Sequence, residues 1–400
     1  MPMQSTPGTL PMTRWSGWVD RWLAWRDRTL ASPRFQRRAA AFSLTRPVAR
    51  RHARELFDLV AGFVYSQVLQ ACVQLRLFNV LADGPQTLQP LAARLALPAE
   101  ALQRLLDAAV SLRLVEHRGE GRYGLGELGA PMVGNAAVEA MVKHHAALYA
   151  DLADPVALLR ASPEERARTA LARYWAYDAA TQPGAAPDPR VATYSTLMAA
   201  SQPLVADEIL DAYALRGHHC LLDVGGGDGR FLVSAAQRAP LLRLMLVDLP
   251  QIVERARARF VEAGVAARAT VFGGNFLTDT LPRGADIASL VRVIHDHDDA
   301  GAMTILRAVH AALPAGGTLL LAEPMAGTRG AERMGDAYFG FYLWAMGRGR
   351  PRSVETLTAM LKAAGFDAVR LAATRMPLQT QLLVARRAGE NPVGFNVNPH

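Results

Sequence analysis

Residues 221–229 read LLDVGGGDG, and they join a short apolar run to a segment with a helical pattern. Glycines at such a junction let a ligand approach the backbone closely, and the first turn of the following helix offers unpaired amide groups. A dinucleotide-binding loop would need its third glycine at position 230, which is Arg230, and the glycine stands instead at Gly229. The stretch therefore predicts a nucleoside-binding loop between a strand and a helix, with Gly225 and Gly227 as candidate contacts.

Two acidic residues accompany this loop. Asp223 precedes it on the strand itself, and Asp248 ends the next strand-like run. A carboxylate in the second position suits two ribose hydroxyls, which both NAD and S-adenosylmethionine present. The combination of D-x-G-G-G-x-G with an acid one strand later favours S-adenosylmethionine as cofactor. A nicotinamide nucleotide and a purely structural turn are the alternatives.

The second half of the chain alternates between strand-like and helical segments. Strand-like runs occupy 219–224, 242–247, 286–291 and 317–323, with helical stretches near 229–239, 250–264 and 300–313. This alternation predicts an α/β fold, in which a parallel sheet with right-handed crossovers binds ligands at the carboxyl ends of its strands. A hairpin-like segment follows near 367–386, and the tail 388–400 has the composition of a disordered segment.

From about residue 53 to residue 200 the helical period dominates. An apolar stripe with i, i+3, i+4 spacing predicts a buried helix; its members are Leu56, Phe57, Val60, Phe63, Val64, Val68, Leu69, Val73 and Leu77. A helix capped by Thr87, a helix opened by Pro98 and a hairpin around 119–121 then give a winged-helix pattern. The Pro-rich stretch 180–190 is predicted to be a loop.

Charge argues against a nucleic-acid partner for this winged helix. The helix that would enter DNA, 99–113, carries Arg104 and Arg113 against Glu100 and Asp107, a net charge of zero. DNA-binding proteins need a positive face to neutralise phosphates. The pattern therefore predicts packing or dimerisation instead.

The positive charge of the chain is concentrated in an N-terminal arm, residues 1–52. The formal net charge is +8, and residues 1–54 contain eleven arginines against only Asp20 and Asp27. Four tryptophans of the arm fall on one face of a helix; they are Trp15, Trp18, Trp22 and Trp25. Tryptophans beside arginines are typical of a helix lying at a membrane interface near anionic lipid. Packing on the protein's own surface or on a partner subunit is the alternative.

Composition limits the compartment. Only Cys72 and Cys220 are present, which excludes a disulfide framework and a Cys-rich zinc site. No run of about 18 apolar residues is apparent, so no membrane-spanning helix is expected. No apolar core follows the N-terminal charges as in a secretory signal. Composition therefore predicts a protein of a reducing compartment, either soluble or lying on a membrane surface.

Further motifs make the chain resemble the class I S-adenosylmethionine-dependent O-methyltransferases of the plant caffeate and acetylserotonin type. They are DVGGGDG at 223–229, VDLP at 247–250, GGNF at 273–276, VIHDHDD at 293–299, LLLAEP at 319–324 and GRGRPRSVETLTAMLKAAGF at 347–366. The arm is most similar to that of the carotenoid O-methyltransferases of purple bacteria, the demethylspheroidene or hydroxyneurosporene type. The resemblance implies a Rossmann-like methyltransferase domain (206–387) after an all-helical, winged-helix-like dimerisation domain (53–205), and a homodimer. It also implies a cytoplasmic protein that is peripheral on the inner (photosynthetic) membrane.

The resemblance also implies roles for single residues. The general base of the family is the histidine of a hydrophobic-His-Asp motif, here His295, and Glu323 matches the glutamate that flanks it. The second flanking glutamate falls on Pro351, which cannot orient an imidazole. Asp248 matches the nucleoside-binding acid, and Asn275 stands where the family has an aspartate near the adenine. Further candidate contacts are Phe276 and Arg292 for the cofactor, and Met198, Phe339, Tyr342 and Met346 for an apolar acceptor, although the latter four could equally be core.

Methyl transfer from a sulfonium to oxygen is an in-line displacement, so the protein mainly aligns the reactants and removes the hydroxyl proton. A neutral imidazole at His295 suits that task near pH 7, with Asp296 or Glu323 holding its other nitrogen. The run 295–299 could alternatively hold a metal, but neighbours on an extended segment point to opposite sides, and we expect none. Asp298 and Asp299 are predicted to cap the following helix.

The expected function is O-methylation of a hydroxycarotenoid with S-adenosylmethionine as cofactor. Within enzymes, the alternative is O- or C-methylation of another apolar acceptor, such as a quinone, a polyketide phenol or a bacteriochlorophyll precursor. A different class is a regulator that senses S-adenosylmethionine and binds DNA through its winged helix. The neutral helix and the intact His295 count against the regulator.

Overall fold

The computed structural model describes residues 14–174 and 202–389 of the chain. They belong to two compact units, Met1–Ala130 and Pro131–His400. This division does not coincide with the predicted domain limits at 52 and 205, which stay a prediction. The predicted loop 180–190, the candidate acceptor residue Met198 and the tail from residue 390 lie outside the described residues.

The first unit contains the predicted winged-helix pattern. Its elements are α1 (Arg14–Ala31), α2 (Pro33–Ala41), α3 (Arg46–Gln74), α4 (Leu77–Ala82), β1 (Gln86–Thr87), α5 (Leu88–Leu95), α6 (Ala99–Ser111), β2 (Val115–Arg118) and β3 (Arg122–Leu125). The strands pair antiparallel in the order β1-β3-β2. Leu91 and Leu102 are fully buried, so the predicted helix, turn, helix and hairpin pack as expected. Thr87 occupies the N-cap of α5, but its side chain makes no capping hydrogen bond.

Helix α3 departs from two expectations. The stripe was expected to be buried, yet Leu56, Phe57, Val60 and Phe63 are each more than 60% exposed. Only Cys72 and Val73, at the end of the helix, are buried. By length and composition alone α3 could also cross a membrane, contrary to the expectation that no segment could. The apolar period predicted the helix, except that Leu77 belongs to α4. The described part of the chain leaves the first two-thirds of α3 exposed.

The second unit opens with a helical layer. Its helices are α7 (Ala136–Asp151), α8 (Pro155–Arg160), α9 (Pro163–Arg166) and α10 (Ala170–Tyr174), followed after the undescribed segment by α11 (202–212). Polar caps start several of them: Asn135 accepts a hydrogen bond from the Val138 amide, and Ser162 forms a capping box with Glu165.

A seven-stranded sheet forms the body of the second unit. The elements along the chain are β4 (Cys220–Val224), α12 (Arg230–Arg238), β5 (Arg243–Asp248), α13 (Pro250–Glu262), β6 (Ala269–Gly273), β7 (Ile287–Val291), α14 (Asp299–Ala312), β8 (Thr318–Glu323), α15 (Phe339–Ala345), α16 (Val354–Ala363), β9 (Phe366–Ala372) and β10 (Gln381–Arg387). The strand order is β6-β5-β4-β7-β8-β10-β9, with β10 antiparallel to both neighbours and the other pairs parallel. The predicted parallel sheet and terminal hairpin are confirmed, and β6 is an additional strand.

Burial explains why the central strands were visible in the sequence. Every residue of β4, β7 and β8 is buried, as in parallel strands covered by helices on both faces. Phe231 and Phe260 pack on one face of the sheet, and Leu290 and Ile305 on the other.

A turn of 3-10 helix, Ile294–Asp296, connects β7 to α14. Asp298 caps α14 by accepting the Gly301 amide at 2.8 Å, as predicted.

Candidate functional site

The predicted site residues follow four adjacent strands. Asp223 lies at the end of β4, Asp248 ends β5, Glu323 ends β8, and His295 follows β7. Because these strands are neighbours in the order β5-β4-β7-β8, their carboxyl ends place the four side chains along one edge of the sheet. The structure thus gathers the candidate base and the candidate cofactor residues where the topology predicts a ligand.

The glycine loop after β4 has the backbone conformation that its sequence requires. Gly225, Gly227 and Gly229 have φ angles of +73°, +58° and +80°, in the left-handed region that other residues rarely adopt. A Cβ on Gly225 would lie 2.8 Å from Cγ2 of Val293, whereas a Cβ on Gly227 would meet no atom within 4 Å. Gly225 is therefore fixed by packing, and Gly227 borders open space that a ligand can enter.

Asp248 shapes this loop. Its Oδ2 accepts the Gly227 amide and its Oδ1 accepts the Leu249 amide, each at 2.7 Å. Burial raises the pKa of Asp248 to about 6, although both hydrogen bonds oppose the rise. A carboxylate oxygen has more than one acceptor position, so Asp248 can hold the loop and still accept ribose hydroxyls.

Asp223 is the second buried carboxylate. Oδ1 accepts a 2.6 Å hydrogen bond from Oγ of Ser289, whereas Oδ2 has no hydrogen-bond partner among the described residues. Burial raises the pKa of Asp223 to about 7, and the charge of Asp248 adds to the rise while Ser289 opposes it. A buried carboxylate oxygen without a donor requires an explanation, and a ligand that brings a donor or a positive charge supplies one.

These features fit S-adenosylmethionine. The cofactor carries a positively charged amino group and two ribose hydroxyls. Near the loop, Asp223 offers a carboxylate oxygen that has no donor among the described residues, Asp248 offers a second carboxylate, and Gly227 borders open space. The helix after the loop, α12, begins at Arg230 and leaves its first amides at the same edge. The donor and acceptor chemistry of the residues present matches that of the cofactor.

The other candidate cofactor residues surround the loop less directly. Asn275 uses its side-chain oxygen locally, accepting the Leu277 amide at 3.0 Å. Phe276 approaches the glycine loop, since a Cβ on Gly225 would lie 3.6 Å from its ring. Arg292 has φ +55°, and its guanidinium donates a short hydrogen bond to the side chain of Gln202. The role of these three residues in cofactor binding stays a prediction.

His295 is held between two carboxylates. Its Nδ1 makes a short hydrogen bond with Oε2 of Glu323, and Oδ1 of Asp296 lies 3.0 Å from Nε2. The other oxygen of Glu323 accepts the amides of Val293 and Ile294 at 3.0 and 2.7 Å. Glu323 therefore orients both the ring and the backbone that carries it.

The two carboxylates determine the charge of His295. Burial alone lowers the pKa of an imidazole, but Glu323 and Asp296 outweigh burial and raise the pKa of His295 to about 10. Without cofactor the ring is therefore protonated near pH 7, contrary to the neutral imidazole expected from the sequence. A positive charge bound at this edge of the sheet would lower the pKa of His295 again, because like charges disfavour the protonated form. The arrangement can therefore remove a hydroxyl proton once a cationic cofactor is bound.

The candidate acceptor residues separate into two positions. The ring of Phe339 lies beside that of His295, with centroids 6.0 Å apart. Tyr342 and Met346 are buried in a core with Leu148 of α7 and Leu158 of α8. A direct contact of Phe339, Tyr342 or Met346 with an acceptor stays a prediction.

The sequence analysis assigned no role to two groups of residues. His144 and His145 of α7 hydrogen-bond through Nε2 to the hydroxyls of Tyr342 and Tyr338, at 2.9 and 2.8 Å. Burial lowers the pKa of His144 to about 4, with a smaller contribution from His145, so His144 is neutral near pH 7. The second group is centred on Arg352, whose buried guanidinium reaches the turn that carries His295. The adjacent histidines were a visible signal, but no periodicity marks Arg352.

No three His, Cys, Asp or Glu side chains within residues 14–174 and 202–389 converge as a metal site. Of the alternative ligand set proposed for the run 295–299, Asp298 caps α14 and Asp299 binds Arg350 and Arg352. These contacts give both carboxylates a structural role.

Comparison with known proteins identifies both halves of the chain. Residues 149–367 match the O-methyltransferase domain family, and residues 57–134 match the O-methyltransferase dimerisation domain family. The structure is similar to that of human N-acetylserotonin methyltransferase in complex with S-adenosylmethionine, with a TM-score of 0.69 at 24% identity over 84% of this chain and 98% of that one. This likeness confirms the predicted fold class.

Two curated relatives are similar in sequence over nearly their whole length. Demethylspheroidene O-methyltransferase of Cereibacter sphaeroides is 44% identical over 90% of this chain and 94% of its own. Acetylserotonin O-methyltransferase of Mus musculus is 31% identical over 85% of this chain and 90% of its own. With the glycine loop, its two carboxylates and the His295–Glu323 pair at one sheet edge, these matches show that the chain belongs to the S-adenosylmethionine-dependent O-methyltransferase family.

Proposed function

We propose that this enzyme methylates the hydroxyl group of a hydroxycarotenoid of the demethylspheroidene or hydroxyneurosporene type. The observation that carries the proposal is the 44% identity, over 90% of the chain, with a demethylspheroidene O-methyltransferase. A second relative with that name, from Rhodobacter capsulatus, is 42% identical over 86% of the chain. Both matches are well above the 31% identity of the acetylserotonin enzyme of Mus musculus, so the acceptor is expected to be of the carotenoid kind.

His295 is proposed as the general base. S-Adenosylmethionine supplies an activated methyl group, so the chain itself must place the acceptor oxygen and remove its proton. Nε2 of His295 is the nitrogen that Glu323 does not occupy, and it is the expected proton acceptor. Glu323 fixes the ring and stabilises the positive charge that His295 acquires, while Asp296, 3.0 Å from Nε2, is expected to yield this position to the acceptor hydroxyl.

The cofactor is proposed to be held by Asp223, Gly225, Gly227 and Asp248, with Asn275, Phe276 and Arg292 around them. Asp223 is expected to pair with the amino group of the cofactor, because its Oδ2 is buried without a donor among the described residues. Asp248 is expected to accept the ribose hydroxyls while keeping its bond to the Gly227 amide.

The protein is proposed to collect its acceptor from a membrane as a homodimer. On α1, Trp18, Trp22 and Trp25 are between 56% and 75% exposed, and the guanidinium of Arg21 lies 5.3 Å from the centre of the Trp18 ring. The side chain of Trp15, the fourth member, lies outside what the structure describes. Exposed tryptophans interleaved with arginines suit the headgroup region of an anionic bilayer. The match to a dimerisation domain supports the homodimer.

The test is methyl transfer from labelled S-adenosylmethionine to a total lipid extract that contains carotenoids, with mass-spectrometric identification of the labelled product. We expect a methoxylated carotenoid. His295→Ala should lower the rate by about 100- to 10,000-fold, the usual contribution of a general base, without weakening cofactor binding measured by calorimetry. His117→Ala, a substitution on β2 far along the chain from the sheet edge, is the matched control and should behave as wild type.

Two outcomes would contradict parts of the proposal. Label found only in quinones or phenols would overturn the carotenoid acceptor. Near wild-type turnover of His295→Ala would show that another group takes the proton, with Glu323 as the next candidate.

A further inference from the structure

The turn that carries His295 is gripped from a second side by a buried arginine. The side chain of Arg352 is only 1% exposed. Its Nη1 donates to the carbonyl of Ile294 at 2.9 Å, and its Nη2 donates to the carbonyl of His297 at 2.8 Å. One guanidinium thus bridges the residue before His295 and the second residue after it.

The turn is therefore held between two opposite charges. Its amides, from Val293 and Ile294, donate to the carboxylate of Glu323, while its carbonyls accept from the guanidinium of Arg352. The amide of Ile294 donates to Glu323, and the carbonyl of Ile294 accepts from Arg352. The peptide units before and after Ile294 are thus each bound by one charged side chain. Hydrogen bonds to charged groups are stronger than neutral ones, and the rigid fork of arginine fixes direction as well as distance.

The guanidinium is itself anchored. Asp299, in the first turn of α14, accepts Nε of Arg352 at 3.0 Å and Nη2 at 2.8 Å. Arg350 also binds Asp299, but its side chain is about half exposed, and both of its hydrogen bonds go to the Asp299 carboxylate. The backbone amide of Arg350, in contrast, donates to the carbonyl of His295 at 2.9 Å.

The segment that carries Arg352 is shaped to reach the turn. Gly349 has φ +91°, and a Cβ there would overlap the carbonyl oxygen of His295. Pro351, the residue before Arg352, brings no group that can orient an imidazole. The side chain that reaches the base region from this segment is that of Arg352, which acts on the backbone and not on the ring.

We propose that Arg352 is a positioning residue, which fixes the His295 turn against Glu323 and so sets the geometry of the His295–Glu323 pair. This inference rests on the proposed role of His295 as the base. It assigns no contact of Arg352 with substrate or cofactor. Without Arg352 the turn loses two of its charged hydrogen bonds and keeps only those to Glu323, so we expect the ring to be displaced from its position against Glu323.

The test compares Arg352→Ala and Arg352→Lys with Arg350→Ala as matched control. Arg350→Ala removes a guanidinium from the same carboxylate of Asp299 but keeps both bonds from Arg352 to the turn. We expect Arg352→Ala to lower kcat by about 100-fold, the usual cost of a misplacement near 1 Å, while the Kd for S-adenosylmethionine stays within about threefold. Arg352→Lys should be intermediate, and Arg350→Ala should be close to wild type.

Two readouts separate positioning from mere stability. In the wild type, the proton between Nδ1 of His295 and Glu323 should give a downfield resonance in 1H NMR, absent from His295→Ala; it should persist in Arg350→Ala and be lost or shifted in Arg352→Ala. The rising limb of the pH profile of kcat should move to lower pH in Arg352→Ala, because a ring that leaves Glu323 loses the charge that raises its pKa.

An unchanged resonance together with a kcat like that of Arg350→Ala would overturn the inference. If Arg352→Ala does not fold, the same two measurements on Arg352→Lys decide. The resonance needs no methyl acceptor, so it tests the role of Arg352 even if the carotenoid assignment fails.

Discussion

Neutralising the buried carboxylate of Asp223 should change the stability of the protein and its affinity for the cofactor in opposite directions. Its pKa is raised by burial to about 7, from an ordinary value near 3.8. A raised carboxyl pKa means that the folded state binds the proton more tightly, so its stabilising contribution is full below about pH 4 and is lost as pH rises through 7. Asp223→Asn mimics the protonated form at every pH, because it removes the buried charge and keeps an acceptor for Ser289.

Without cofactor, the variant is therefore expected to match wild type near pH 4 and to be more stable by about 1 kcal/mol at pH 8, the scale of an unpaired buried polar group. Its affinity for S-adenosylmethionine should fall, since the carboxylate that would meet the amino group is gone. Thermal unfolding at the two pH values and calorimetric titration with the cofactor measure both effects. Asp223→Asn with unaltered cofactor affinity would remove Asp223 from the site.

At the scale of single residues, the sequence predicted the His295–Glu323 pair, because both residues lie at the carboxyl ends of neighbouring strands. His295 follows β7 and Glu323 ends β8, and because these strands are adjacent, their assignment is enough to bring the two residues to one edge. Arg352 could not be found in this way, because its position depends on the path of an irregular segment around Gly349. The sequence also left Asp296 and Glu323 as alternatives, and the structure uses both, one at each ring nitrogen.

The glycine loop is an element in which two glycines should respond differently to the same substitution. Gly225 and Gly227 both have positive φ, so alanine costs about 1–2 kcal/mol of backbone strain at either position. A Cβ on Gly225 would also press on Val293, whereas one on Gly227 meets no protein atom within 4 Å. Gly225→Ala is therefore expected to lower the melting temperature more than Gly227→Ala.

Cofactor affinity is the second measurement for this pair. The methyl group of Gly227→Ala projects into the space assigned to the ligand, so its affinity for S-adenosylmethionine should fall by at least about tenfold despite the smaller loss of stability. Calorimetry and thermal unfolding on both variants give the comparison. A Gly227→Ala variant that binds the cofactor like wild type would move the ligand away from this loop.

Elements were predictable where burial made their pattern strong. The central strands β4, β7 and β8 are apolar throughout because both faces are covered. Strand β6 was missed because it is an edge strand in which only Val271 is buried, so its sequence carries a weak apolar signal. Helix α3 shows the converse, since its strong stripe predicted burial that the described part of this chain does not provide.

At the scale of the whole molecule, the apolar surface that is exposed on the first unit needs an explanation that the sequence did not provide. The exposed stripe of α3 begins at Leu56, and the dimerisation domain match begins at residue 57. A second copy of the chain is therefore the expected cover for α3. The tryptophans of α1 precede the matched range, so the dimerisation match does not account for their exposure.

The arm should act in membrane binding and not in folding or cofactor binding. Removing residues 1–31 deletes α1, including Trp18, Trp22 and Trp25, but leaves α3 and the glycine loop intact. We expect the truncated protein to remain a dimer that binds S-adenosylmethionine, yet to lose flotation with anionic liposomes. Each arginine near such a surface contributes about 1 kcal/mol, screened by salt, so binding by the full chain should weaken as ionic strength rises.

Substituting serine for Trp18, Trp22 and Trp25 should reproduce the loss of liposome binding without shortening the chain. Leu241→Ser is the matched control, because Leu241 is 95% exposed and lies in the second unit. Activity should fall more on carotenoid embedded in vesicles than on carotenoid dispersed in detergent, since only the first must be collected from a bilayer. If the truncated protein unfolds or becomes monomeric, the tryptophans pack against protein, and α1 is part of the dimer and not a membrane contact.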